Sequence, residues 1–88
     1  MNIRYMRRLR EKHKIPISQL ARLSTVNRQR LTQIELEDKV PTEHMRSLVD
    51  SAISRVIEER RRELAELEAD YARYRGRLLD YIDKEDTP

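Results

Sequence analysis

The densest pattern in the chain lies between Ile17 and Leu36, which reads ISQLARLSTVNRQRLTQIEL. Its apolar positions Leu20, Val26, Leu31 and Ile34 do not fall on one stripe of a continuous helix. Leu20 and Leu31 are eleven residues apart, close to three turns, but Val26 lies off that line. A break near Thr25, Val26 and Asn27 lets all four point into one core. Asn27 then stands where an N-cap belongs, just ahead of the periodic run Arg28, Leu31, Ile34. The pattern predicts two short helices, from about Ile17 to Ser24 and from about Arg28 to Leu36. Ala21 is small where the two would cross, so their backbones can approach closely.

Upstream, Ile3, Met6 and Leu9 share one face of a helix expected from Asn2, its cap, to about His13, with Tyr5 adding packing. Pro16 disfavours helix at Ile15 and can open the next one, so Lys14 to Pro16 reads as a connector. Residues 37–41 read as a loop ended by Pro41, and Thr42 as the cap of a further helix whose core face is Met45, Leu48 and Val49. Nothing breaks helicity from there to Gly76, which permits a bend, and the helix is expected to run on to about Asp83, as one piece or as two nearly collinear ones. Along it the apolar positions alternate by four and three: Ile53, Ile57, Arg60, Leu64, Leu67, Tyr71, Tyr74, Leu78, Tyr81. That is the a/d seam of a heptad with Arg60 as its one offender. Such a seam has to be covered. The economical cover is a second copy, which makes Ile57, Leu64, Leu67, Tyr71, Tyr74, Leu78 and Tyr81 the expected dimer interface. The alternative is a tail folded back on its own head. In a parallel pair Glu63 would face Glu68, a repulsion, and Asp70 would face Arg75, an attraction, so charge leaves the orientation open. Three tyrosines in the seam hint at an antiparallel or splayed packing.

The chain is expected to divide into a head over residues 1–53, a helical dimerisation tail over 54–84 and a disordered end over 85–88. Charge divides it in the same way. Residues 1–41 hold ten Lys/Arg against four Asp/Glu, and residues 42–88 hold nine against twelve. A head with six surplus positive charges and a tail with three surplus negative ones suggest that the head meets a polyanion. One Gly and three Pro in 88 residues favour helix nearly throughout, and a charged content of 40% leaves room only for a thin core. With no Cys there are no disulfides and no thiol chemistry, and no apolar run reaches membrane length. The expected setting is the cytoplasm.

The ordered set MRRLR at Met6 to Arg10, Leu20-Ala21, Val26, LTQIE at Leu31 to Glu35, and Pro41 resembles the helix-turn-helix of the Xre-like, Cro and phage-repressor family. The resemblance spans roughly Ile3 to Ile53. It implies an all-α, lambda-repressor-like head in which the second of the two short helices enters the DNA major groove. It also implies a structural ion pair between Arg10 and Glu35. The chain departs from the family where Ile17 replaces a common Gln, Pro16 a common Ser or Thr, and Lys14, Thr25 and Glu37 a common Gly.

Base readout needs donors and acceptors that reach base edges. Arg suits guanine and Gln suits adenine. Arg28, Gln29, Thr32 and Gln33 lie at i, i+1, i+4 and i+5 and form one outward face, and the resemblance implies base contacts from Arg28, Gln29 and Gln33. The expected phosphate contacts are Ser18 and Gln19 at one helix start, Asn27 at the other, Arg30 on the flank, and Lys39 and Thr42 beyond. The run Arg60 to Arg62 reads first as a solvated face braced by Glu58 and Glu66 at i,i+4 spacing, with a second polyanion contact as the alternative. His13 and His44 are 31 residues apart with no paired-ligand spacing, and no nucleophile-and-base set or phosphate loop is present, so neither metal, cofactor nor enzymatic activity is expected. The resulting expectation is a dimeric transcriptional repressor on double-stranded DNA. Its rival is a protein-interaction module, an antitoxin or enzyme inhibitor, whose C-terminal helix grips a partner protein.

Overall fold

The computed structural model describes residues 3–36 and 40–82. The described chain is all-α, with helices α1 (Tyr5–Lys12), α2 (Ile17–Ser24), α3 (Arg28–Leu36) and α4 (Glu43–Tyr74). Among the described residues no helix is long and apolar enough to cross a membrane.

The bounds of α2 and α3 follow from local chemistry. Pro16 sits at the N-cap of α2 with extended backbone, and its carbonyl accepts from the Gln19 and Leu20 amides. α2 ends because Thr25 turns into the left-handed region, at φ 61. Asn27 then caps α3: its Oδ1 accepts from the Gln29 amide at 2.7 Å. Between the two helices the buried Ser24 hydroxyl accepts from the Val26 amide at 3.1 Å, which satisfies a donor inside the turn. Lys14, in the connector between α1 and α2, is left-handed as well, at φ 54. Thus two of the positions where the chain lacks an expected Gly do adopt the conformation that Gly favours. The third, Glu37, lies outside the described residues.

A β-branched residue held left-handed costs about 1–2 kcal/mol. Thr25→Gly removes that cost and returns part of it through a more flexible unfolded chain, about 0.5–1 kcal/mol. The expected net effect is a small stabilisation of up to about 1 kcal/mol, read from denaturant midpoints. A loss instead would mean that the Thr25 hydroxyl, which donates to the Ser24 carbonyl, outweighs the strain.

The core is thin. Leu20, Val26, Leu31 and Ala52 form its centre, with Met6, Ile17, Leu23, Met45, Leu48, Val49 and Ile53 packed around them. Ile15 and Val56 are buried too. α4 lies mainly against α2, and its grip on the head runs past residue 53. Val56 is buried, the Glu59 carboxylate accepts from the Gln19 amide at 3.1 Å, and Arg60 donates to the Lys14 carbonyl at 3.3 Å. Contact between α4 and the rest of the head therefore continues through residues 56–60.

Two helix limits differ from the sequence pattern. α1 begins at Tyr5, with Arg4 at the N-cap position and no side-chain cap; Asn2 lies outside the described residues. α4 stops at Tyr74, well short of Asp83. Arg75 leaves the helical region at ψ 125, and Gly76 is left-handed at φ 82. The four-three alternation continues through Leu78 and Tyr81, but those two positions lie beyond the helix and so share no helical stripe with Tyr74. The expected end at 85–88 lies outside the described residues. All residues from 61 to 82 are exposed, so this tail does not fold back on its own head. The whole measures 56 × 24 × 18 Å.

Candidate nucleic-acid interface

α3 is fixed to the head by three different forces. Leu31 is fully buried and Ile34 half-buried, which sets the helix rotation. At the C-terminal end, Arg10 donates through Nε and Nη2 to both Glu35 oxygens, at 2.8 and 2.9 Å. This is the two-pronged pairing that a planar guanidinium offers a carboxylate. Arg10 also donates to the Ile15 carbonyl, so one side chain ties α1, the connector and α3 together. Glu35 is 8% exposed. Donation to Glu35, against the burial that opposes it, holds the Arg10 guanidinium above its ordinary value. The sign keeps this contribution present below the ordinary guanidinium range and lets it fade only above that range, so the titration of Arg10 itself sets no pH limit near neutrality. The third force is Arg4, whose Nε donates to the Ile34 carbonyl at 2.6 Å. It meets one of the carbonyls that a helix leaves open at its C-terminus.

That anchoring turns the other side of α3 outward. Arg28 and Gln29 are exposed, and Thr32 and Gln33 are half-buried, so none of the four is packed away. Thr32 donates to the Arg28 carbonyl at 2.9 Å, which leaves its hydroxyl oxygen as an acceptor. No acidic residue occurs from Pro16 to Ile34, whereas Arg22, Arg28 and Arg30 do. The surface made by α2, the turn and α3 therefore offers donors and positive charge with no carboxylate of its own.

The residues expected around it are not all equally available. Ser18, Asn27 and Arg30 are exposed. Asn27 spends its carbonyl oxygen on the cap and keeps its amide. Thr42 spends its hydroxyl as acceptor for the Met45 amide, capping α4, and keeps its own proton to donate. Gln19 differs: its amide donates to Glu59, which also lies 3.7 Å from Arg22, so the acid on α4 competes for both at this flank. Lys39 lies outside the described residues. Sequence reasoning missed the roles of Arg4, Ser24 and Glu59. A basic residue that closes a distant helix end leaves no local mark, and Gln19 and Glu59 are 40 residues apart.

No family model, no curated protein and no solved structure matches the chain.

Proposed function

We propose that the protein is a sequence-specific double-stranded DNA-binding regulator with a helix-turn-helix head of the Xre, Cro and phage-repressor kind, acting as a dimeric repressor. The observation that carries this reading is the outward face of α3, where Arg28, Gln29, Thr32 and Gln33 stand together on a surface that holds no acid from Pro16 to Ile34. The Arg10–Glu35 fork supports it, because it stiffens the one helix whose orientation would have to match a groove. In this reading α3 enters the major groove and those four side chains meet base edges. Ser18, Asn27, Arg30 and Thr42 meet phosphates and set the register. Two heads joined through α4 take two half-sites of a near-palindromic operator, and occupancy blocks or tunes a promoter.

The experiment is titration of the protein against promoter DNA at several salt concentrations, beside a panel of single-base variants. A steep fall of affinity with salt and a large specific-over-nonspecific ratio support the regulator. Gln33→Ala is expected to lose about 1–3 kcal/mol on the cognate site and to relax the choice at one base pair. An equal loss on every sequence would move Gln33 to the phosphate set. The rival reading, a module that grips a partner protein, draws on the exposed Leu64, Leu67 and Tyr71 of α4. Weak, sequence-blind binding to DNA beside a tight complex with another protein would favour it.

A further inference from the structure

The outer half of α4 presents an apolar stripe that the head does not cover. Ile57, Leu64, Leu67, Tyr71 and Tyr74 are all exposed, as are Leu78, Leu79, Tyr81 and Ile82 beyond the helix end. At the other end of the same stripe, α1 and α4 stand apart and leave an apolar groove lined by Leu9, His13, Ile53, Ile57 and Leu64. One chain therefore carries both an uncovered apolar end and an uncovered apolar groove, joined through Ile57 and Leu64.

The geometry points to a second copy of the chain as the occupant, paired antiparallel through α4 and centred between Ala65 and Glu66. In that register Tyr71 and Tyr74 at the helix end of each copy lie against Arg60 and Ile57, which line the groove between α1 and α4 of the other. The inference deepens the self-association within the proposed function and does not depend on DNA.

Charge selects this arrangement. A parallel, in-register pair sets Arg60 opposite its own copy in the seam and Glu63 opposite Glu68, two repulsions of like charge. The attraction that would offset them, Asp70 with Arg75, needs Arg75 on the helix. Arg75 is the residue at which the helix ends, with ψ 125. The antiparallel register about Ala65 and Glu66 sets Leu64 against Leu67, Ile57 against Tyr74 and Arg60 against Tyr71. Arg60 then falls beside Asp70 of the other copy. A guanidinium has five N–H donors, so it can meet that carboxylate while keeping its bond to the Lys14 carbonyl. Asp70 also approaches Glu63, and Arg60 lies between them as a counter-charge. On the opposite flank Arg61 faces Glu68, an attraction made twice by the symmetry. Other antiparallel registers, shifted by one heptad, bring Arg61 against itself or Glu68 against itself. The stripe from Ile57 to Tyr74 gives an overlap of about 27 Å.

The native chain has no Cys, so single labels are clean. A spin label on Ser47→Cys, at the exposed, head-proximal part of α4, should show a separation of about 55 Å between copies. A short distance set by the helix spacing of about 10 Å would overturn the antiparallel pairing while leaving self-association intact. Sedimentation equilibrium on the unlabelled chain should give a dimer; a monomer at high micromolar concentration would overturn the inference altogether. Charge reversal supplies a sign that orientation alone decides. Glu68→Arg should weaken the antiparallel dimer about ten-fold, because the introduced guanidinium would meet Arg61 twice. It would tighten a parallel one by meeting Glu63. Adding Arg61→Glu to Glu68→Arg should return the dissociation constant to within about two-fold of the native value, since the exchanged charges attract again; no recovery would overturn the register. Glu68 lies away from the head, Arg61 stands only at the edge of the groove between α1 and α4, and no measurement involves DNA, so failure here and failure of the DNA reading are separate results.

Discussion

Arg10→Ala is expected to destabilise the head by about 3–5 kcal/mol. The size comes from what is left behind. Glu35 is 8% exposed, and its two oxygens accept from the same guanidinium. With Arg10 gone, a carboxylate stays in a site that water barely reaches and loses the two donors that meet it. Arg10 also holds the Ile15 carbonyl, so the connector between α1 and α2 loosens at the same time. Removing both charges together is a different experiment. Arg10→Met with Glu35→Leu leaves no unpaired charge and should recover much of the loss, because a buried ion pair often adds little over apolar packing of similar volume. Urea denaturation of the single and double variants checks both. If Arg10→Ala costs under about 1 kcal/mol, the fork is a surface pair in energy despite its burial. The double variant also separates stability from the proposed function: if the native chain binds DNA as proposed, a stable double variant that does not would show that Arg10 orients α3 or reaches a phosphate.

How much of this can be read from the chain depends on how local each cause is. Asn27 ahead of a periodic run, and Pro16 at a helix start, act within four residues, and the bounds of α2 and α3 follow from them. The pairing of Arg10 with Glu35 spans 25 residues and is implied only by a family resemblance; the geometry has the pair, two-pronged and nearly buried. The end of α4 escapes the sequence pattern for a physical reason. An apolar alternation reports which side chains need cover, and it continues through Leu78 and Tyr81. It does not report whether the backbone stays helical. One left-handed Gly76, together with an extended Arg75, decides that instead. The interplay of Gln19, Arg22 and Glu59 is out of reach for another reason. It depends on how α4 lies across α2, which no window of sequence records. Of the outward face of α3, the sequence carries the composition, the spacing and the side that faces the core. The structure adds the degree: Arg28 and Gln29 are exposed, whereas Thr32 and Gln33 are half-buried, as is Ile34 on the inner side.

Leu31→Ala is expected to cost about 2–5 kcal/mol, which for a head this small approaches its whole stability. Leu31 is 0% exposed and belongs to the four-residue centre of the core with Leu20, Val26 and Ala52. Truncation opens a cavity between α2, α3 and α4, and the surrounding side chains are too few to close it. Leu36→Ala is the matched control. It removes the same atoms from the same helix, but Leu36 is 58% exposed, so the expected cost is under about 1 kcal/mol. The choice of probe matters. The chain has no Trp, and Tyr5, Tyr71, Tyr74 and Tyr81 are all exposed, so tyrosine emission does not sense the core. Total helical signal is also a poor probe, because the outer half of α4 adds to it without packing on the head. Native-state hydrogen exchange at the Leu20 and Leu31 amides reads the head alone. Protection there should collapse in Leu31→Ala and persist in Leu36→Ala, while the amides between Leu64 and Tyr71 respond only to self-association. Equal losses from the two leucines would mean that α3 is not seated on the core as described. The outward face of Arg28, Gln29 and Gln33 would then have no fixed direction in which to read anything.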